Sequence, residues 1–274
     1  MSESKKQKID HTNQNRWVDV MGALALLVAV VIAAVWTGNS MSSGTVTVWH
    51  VFVAASITAV ATGFGAFPFL FIDEIDYRWL GFGNAIAAGL MLGASIGLIS
   101  EGITLQNAEQ TELRVIIGLV IGVGLIYIAR RLLENRDEEF AIGKIQGANA
   151  VQMLMIVGVM TAHSFAEGIG IGVSYGDGQA FGAFISIAIA IHNIPEGLAI
   201  SLILIPRGTS VFRASLWSMF SSLPQPLMAV PAFLFVLIFR PLLPIGLGLA
   251  AGAMLWMVFS ELMPEAREEL PARV

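Results

Sequence analysis

Eight apolar stretches divide this chain of 274 residues, at 17–36, 49–72, 79–103, 113–129, 151–173, 181–205, 212–239 and 242–263. A bilayer-spanning helix needs about 20 largely apolar residues. Lipid offers no partner to a free N–H or C=O, so such segments close their hydrogen bonds internally as helices. Strands of a membrane barrel would instead alternate in polarity over about ten residues, and these segments do not. The expected fold class is an all-α polytopic membrane protein with eight transmembrane helices. Only 13% of residues are charged, against roughly a quarter in soluble domains. The formal charge of −5 implies no nucleic-acid partner, and the absence of cysteine excludes disulfides, thiolate metal sites and cysteine nucleophiles. Glycines spaced as Gly118, Gly122 and Gly124, or Gly246, Gly248 and Gly252, predict close helix approach.

The basic residues predict an orientation. With a cytoplasmic N-terminus, 13 of the 15 lysines and arginines fall on the inside and only Arg114 and Arg240 outside. An even number of spans then leaves both termini cytoplasmic. Residues 1–16 read as a cytoplasmic polar tail, and 17–36 as an N-terminal transmembrane helix. Its basic flank also resembles a signal peptide, but the apolar run exceeds a signal core and a clear small-residue cleavage site is missing, which favours a signal anchor. The connection at 132–150 is the longest and most polar loop, and it holds no histidine.

Two spans carry one pattern twice, HSFAEGIGI at 163–171 and HNIPEGLAI at 192–200. Residues four apart share a helix face, so His163 points with Glu167 and His192 with Glu196. Neither span contains a lysine or arginine to pair these carboxylates. Unpaired carboxylates in hydrocarbon are costly, which marks the group as functional. From Asp177 in the short link, His163 lies 14 residues back and His192 lies 15 ahead, so the histidines reach nearly equal depth. Each glutamate then sits about 6 Å from its histidine along the axis, on opposite sides. Imidazole plus carboxylate suits Zn²⁺, Fe²⁺, Mn²⁺ and similar ions and disfavours Cu(I). A staggered ladder does not close on one ion by itself. A kink at Pro195, freeing the Ile191 carbonyl, with bending at Gly168, Gly170, Gly172 and Gly197, is expected to complete it.

Other candidates carry weaker signals. Ser164, Asn193 and Gln225 are neutral polar groups suited to supporting or packing roles, and Met91 to packing. Glu101 and Glu261 stand near span ends, where solvated carboxylates are ordinary. His50 begins its span at the interface and His11 lies in the polar tail. No HExxH zinc-protease pattern occurs, and the HxxxE spacing differs from the di-iron ExxH pattern, so an enzyme is not expected.

At these motifs the chain resembles the ZIP (Zrt/Irt-like) family of divalent metal transporters, in its bacterial type. HNIPEG at 192–197 is similar to the family's fifth-core-helix signature. HSFAEG at 163–168 is similar to the fourth, with serine for the usual asparagine and alanine for the usual proline. TGFGAFP at 62–68, AAGLMLGAS at 87–95 and AAGAMLWMVFSELMPE at 250–265 resemble the first, second and penultimate core helices. The resemblance covers residues 49–265, with 266–274 as a cytoplasmic tail. It implies a primary metal site of His163, Glu167, His192 and Glu196, with Met91 beside it. It also implies transport of Zn²⁺, Fe²⁺, Mn²⁺ or Cd²⁺ toward the cytoplasm, the metal being substrate and no organic cofactor being needed.

Many members of that family have a second metal site, at the positions of Ser164 and Asn193 with a glutamate from the sixth core helix. Gln225 stands at that glutamate's place, so all three positions are neutral and a mononuclear site is expected. The chain has one helix before the family core and stops after the penultimate core helix. Either the chain is truncated, or another helix or a second subunit, as in a homodimer, covers the open face. Residence in the plasma (inner) membrane is expected. A membrane metal sensor or passive metal channel on the same fold is the alternative.

Overall fold

A computed structural model of the chain describes residues 6–8, 16–41, 45–72, 74–76, 78–105, 110–134, 148–205 and 208–270. The segment ENRDEEF lies outside the described residues from position 135 onward, as does His11. Ten α-helices follow one another: α1 Arg16–Met41, α2 Val48–Gly63, α3 Arg78–Thr104, α4 Thr111–Glu134, α5 Ala148–Asp177, α6 Gln179–Leu204, α7 Val211–Ser221, α8 Pro224–Ile238, α9 Leu243–Met257 and α10 Met263–Glu269. Among the described residues, seven segments are long and apolar enough to cross a membrane. The 30 residues of α5 add another helix of sufficient length, at roughly 1.5 Å per residue. The chain is an integral membrane protein of the all-α class. A short antiparallel pair, β1 Lys6–Lys8 with β2 Glu74–Asp76, is the one departure, setting Lys6 opposite Asp76 and Lys8 opposite Glu74.

Several predicted spans are subdivided. The stretch 212–239 is one crossing built from two helices, α7 and α8, broken at Ser222 and Leu223. The cause is the run Pro224-Gln225-Pro226, since proline cannot donate to the preceding turn and suits the first positions of a new helix. The stretch 242–263 becomes α9, a π turn at Val258–Leu262, and α10. By contrast, α6 stays helical through Pro195. Helix interruptions fall in α7/α8 and at the π turn. Between α5 and α6 only Gly178 intervenes, at φ 155°, a conformation that favours glycine.

Helix approach follows the glycines. On α4, a Cβ at Gly118 or Gly122 would collide with the main-chain oxygen of Ile245 or Leu249 on α9. On α9, Gly248 and Gly252 meet the carbonyls of Val115 and Leu119 in the same way. The two glycine rows therefore face each other, and backbone packs on backbone. Gly124 faces open space, and Gly246 meets the Val173 side chain.

The bundle sorts into two groups. Helices α2, α5, α6, α7 and α8 pack among themselves, as do α3, α4, α9 and α10, and the groups meet where α3 crosses α6 and where α5 crosses α9 and α4. Leu98, Ile171, Ile185, Leu247, Ala250 and Met254 fill the buried centre. Helix α1 packs on α2 and α7 but exposes Leu24, Val28, Val31, Ile32 and Val35, as a lipid-facing helix does. It docks through buried Asp19, whose Oδ1 accepts the backbone N–H of Phe212 at 3.1 Å. That bond satisfies a free donor in the first turn of α7. His50 serves a similar local purpose, closing a capping box with Thr47 at the start of α2.

Candidate metal centre

Because α5 and α6 are antiparallel neighbours, their repeated patterns face each other inside the bundle. His163, Glu167, His192 and Glu196 are all buried, and Glu167 is completely enclosed. Donor atoms of Glu167, His192 and Glu196 lie within 4.8 Å of one another. Glu167 Oε1 stands 3.4 Å from His192 Nε2. Glu167 Oε1, His192 Nδ1 and both oxygens of Glu196 have no hydrogen-bond partner. Buried polar atoms are ordinarily satisfied, so three side chains with free donor atoms converging in one spot could hold a cation.

The fourth predicted ligand sits differently. His163 Nε2 is directed at Glu261 Oε2, 3.1 Å away, on the π turn of the facing helix group. Its angle does not make a full hydrogen bond, since the nitrogen counts as unpartnered. Distance and opposite polarity nonetheless pair the two groups. Arg130 on α4 approaches the other Glu261 oxygen at 3.6 Å. The π turn carries one extra residue, which rotates α10 by about 100° relative to a straight continuation of α9. Glu261 is therefore no solvated span-end carboxylate but part of the site's lining. Its sequence signal was the segment ELMPE, where Glu261 and Glu265 repeat the four-residue spacing.

A cleft of about 30 Å³ connects these groups, lined by Asn84, Met91, His163, His192, Glu196, Glu261 and Glu265 among others. Its volume suits a single ion or a water. Asn84 donates to Glu265 Oε2 at 3.0 Å, anchoring the far end of the row of carboxylates. Met91 is buried against the cleft, so its thioether faces the same space as the histidines. Carboxylate, imidazole and amide groups thus run from mid-bundle toward α10.

Behind Glu167 lies a second polar layer that does not open to the cleft. Gln225 Nε2 donates to Glu167 Oε2 at 2.6 Å. Thr58 Oγ1 and Asn193 Nδ2 donate to Gln225 Oε1 at 2.6 and 3.2 Å. Asn193 Nδ2 also donates to the main-chain oxygen of Thr58 at 2.8 Å. Ser164 is buried with its hydroxyl unpartnered. Asn193 and Gln225 therefore stand together, whereas Ser164 has no bond to either. Thr58 belongs to this layer too. Its position in the first core helix gave no motif that would have singled it out.

Comparison with known proteins gives one consistent result. Residues 134–272 match the family model described as ZIP Zinc transporter. "Zinc transporter GufA" of Myxococcus xanthus is 30% identical over 224 residues, covering 78% of this chain and 87% of the relative. "Zinc transporter ZIPB" of Bordetella bronchiseptica is 32% identical over 255 residues, covering 89% and 80%. The Arabidopsis thaliana protein named "Putative zinc transporter At3g08650" is 43% identical over 241 residues, covering 87% of this chain and 37% of the relative. The chain thus corresponds to about a third of that plant protein and to most of the two bacterial ones.

Proposed function

The chain belongs to the ZIP zinc transporter family, and on that premise we propose that it carries a divalent transition metal, zinc foremost, toward the cytoplasm through the cluster of Glu167, His192 and Glu196. Metal-ion transport is the family's activity; the ion, direction and mechanism are the proposal. The observation that carries it is the convergence of three buried side chains whose donor atoms lie within 4.8 Å and largely lack hydrogen-bond partners. A divalent ion offsets two carboxylate charges, which removes the cost of burying them without a cation. The ligand types extend the substrate range to Fe²⁺, Mn²⁺ and Cd²⁺.

His163 and Glu261 are the next station for the ion in this reading. They share the cleft with Glu196, and Glu265 lies further along it. The bias of basic residues supports α10 on the cytoplasmic side with both termini inside, and the plasma (inner) membrane is the proposed residence. The cleft then opens inward, and the carboxylate row is an exit path. Alternating access moves one helix group against the other. The packing favours such a motion at the border between groups. A Cβ on Gly83 of α3 would touch only the Pro195 side chain, at 3.5 Å, and one on Gly97 only aromatic side chains, Phe184 at 3.6 Å. Within groups, backbone meets backbone, as at Gly197 with Thr62 and Gly172 with Ala229. Interlocked backbones resist sliding more than apolar side-chain surfaces do.

Purified protein in liposomes, loaded with a zinc-sensitive dye, tests the reading. Saturable uptake is expected, with competition by Fe²⁺, Mn²⁺ and Cd²⁺ ranking the ions. Flux linear in metal would indicate a channel. Binding without flux would indicate a sensor.

A further inference from the structure

We propose that Gln225 is a positioning residue that holds one oxygen of Glu167 and leaves the other as its single metal-binding atom. The inference rests on the metal site described above and deepens it.

The hydrogen bonds admit one orientation of every group in the layer. A main-chain carbonyl only accepts, so the oxygen of Thr58 fixes which end of the Asn193 side chain is its NH₂. That NH₂ also faces Gln225, so the Gln225 atom it meets is an oxygen. The Gln225 NH₂ is then turned to Glu167, whose Oε2 accepts it. The reverse amide would place NH₂ against NH₂ and carbonyl oxygen against carboxylate. The Thr58 hydroxyl lies 2.6 Å from the Gln225 oxygen and 2.7 Å from the Ala55 carbonyl, and shares its single proton between them. One backbone carbonyl on α2 therefore sets, through two amides, which Glu167 oxygen is engaged.

Glu167 is divided as a result. Oε2 is held at 2.6 Å by the Gln225 amide. Oε1 accepts no hydrogen bond and faces His192 Nε2 at 3.4 Å. Gln225 itself is completely buried, so no water replaces it. Two features of the backbone bring it within reach. The α7/α8 break places Gln225 in the first turn of α8. Gly168, next to Glu167, lets the Gln225 main chain approach where any Cβ would collide. A neutral donor built into the fold thus engages Oε2, and Glu167 can offer the transported ion one oxygen.

Difference infrared spectroscopy of the full chain in nanodiscs, with zinc minus without, reads this directly. The separation between the asymmetric and symmetric carboxylate stretches is wide for one-oxygen ligation and narrow for two-oxygen ligation. The Glu167 bands are assigned by their loss in Glu167→Gln. Wild type is expected to show the wide separation. Gln225→Met, which keeps the length and removes the donor, is expected to narrow it and raise KM for zinc uptake about tenfold, the worth of one hydrogen bond to a charged group. Thr58→Val, which keeps the shape, is expected to shift the bands in the same direction by less, and it carries the test if Gln225→Met fails to fold. Unchanged bands in the folded variants, with zinc still binding at Glu167, would overturn the role of Gln225. If Glu167→Gln alters neither zinc binding nor the spectrum, the metal site itself is wrong.

Discussion

Glu167 and Glu196 occupy matching places in two copies of one pattern, yet their surroundings differ in kind. Glu167 is sealed, with one oxygen tied to Gln225. Glu196 lines the cleft with both oxygens unpartnered. The histidines differ as well, His192 facing Glu167 within its own helix group and His163 facing Glu261 across the border. Even the glycine after each glutamate has its own partner. Gly168 lies against the main chain of Gln225 on α8, and Gly197 against that of Thr62 on α2. A repeated sequence produces the same local helix and the same i, i+4 face. What that face meets depends on which helix the fold has placed opposite. The α6 copy thus faces the cleft with free donors, while the α5 copy supplies one fixed oxygen and a histidine shared with the other group.

The largest effects should separate the copies. His192→Ala and Glu196→Ala are expected to lower zinc uptake in proteoliposomes by more than a hundredfold, with membrane insertion intact. His163→Ala, which removes a partner at the edge of the cluster, is expected to cost only about tenfold, on the scale of an outer partner to a metal ligand. Equal losses for His163→Ala and His192→Ala would erase the distinction between the two copies.

Stability should treat the copies alike where uptake does not. Gly168→Ala and Gly197→Ala each drive a Cβ into neighbouring backbone, and each is expected to destabilise the fold by about 1–3 kcal/mol, as overpacking does. Thermal unfolding in detergent checks this, with Gly83→Ala at the border between groups as the tolerated control. A midpoint unchanged in either glycine variant would show that its helix can move away from the other group member.

The smallest effect concerns the turn joining the copies. Asp177 ends α5 beyond the apolar stretch, and its carboxyl is raised from 3.8 to about 6. Burial is the main cause, then a hydrogen bond and charge from Glu101, with Arg240 opposing. A raised acid favours folding while protonated, fully below about pH 3.8, and that contribution is lost as pH climbs toward 6. Asp177→Asn should flatten the unfolding midpoint between about pH 4 and 6. A slope equal to wild type would remove Asp177 from the account.

Much of the fold was legible because lipid leaves few alternatives. Long apolar runs must be helices, and the paired glycines on α4 and α9 announced a close contact that did form between them. The convergence of Glu167, His192 and Glu196 was legible through charge without counter-charge. Glu261 was read as a solvated carboxylate because its depth depends on a π turn that apolar length does not reveal. A kink was expected at Pro195, where the helix continues, whereas the helix break came at Pro224. One missing hydrogen bond is tolerated inside a packed helix, whereas two prolines within three residues are harder to accommodate.

By itself, then, the sequence determined that this protein lives in a membrane, that its helices carry a repeated His–Glu face, and that zinc-type ligands are buried there. Periodicity and the cost of charge in hydrocarbon are local properties, readable one segment at a time. Only the tertiary structure decided that His163 turns to Glu261, and that Thr58, Asn193 and Gln225 hold one oxygen of Glu167. Those pairings join residues up to 167 positions apart, and their geometry exists only once close-packed backbones have brought separate helices together.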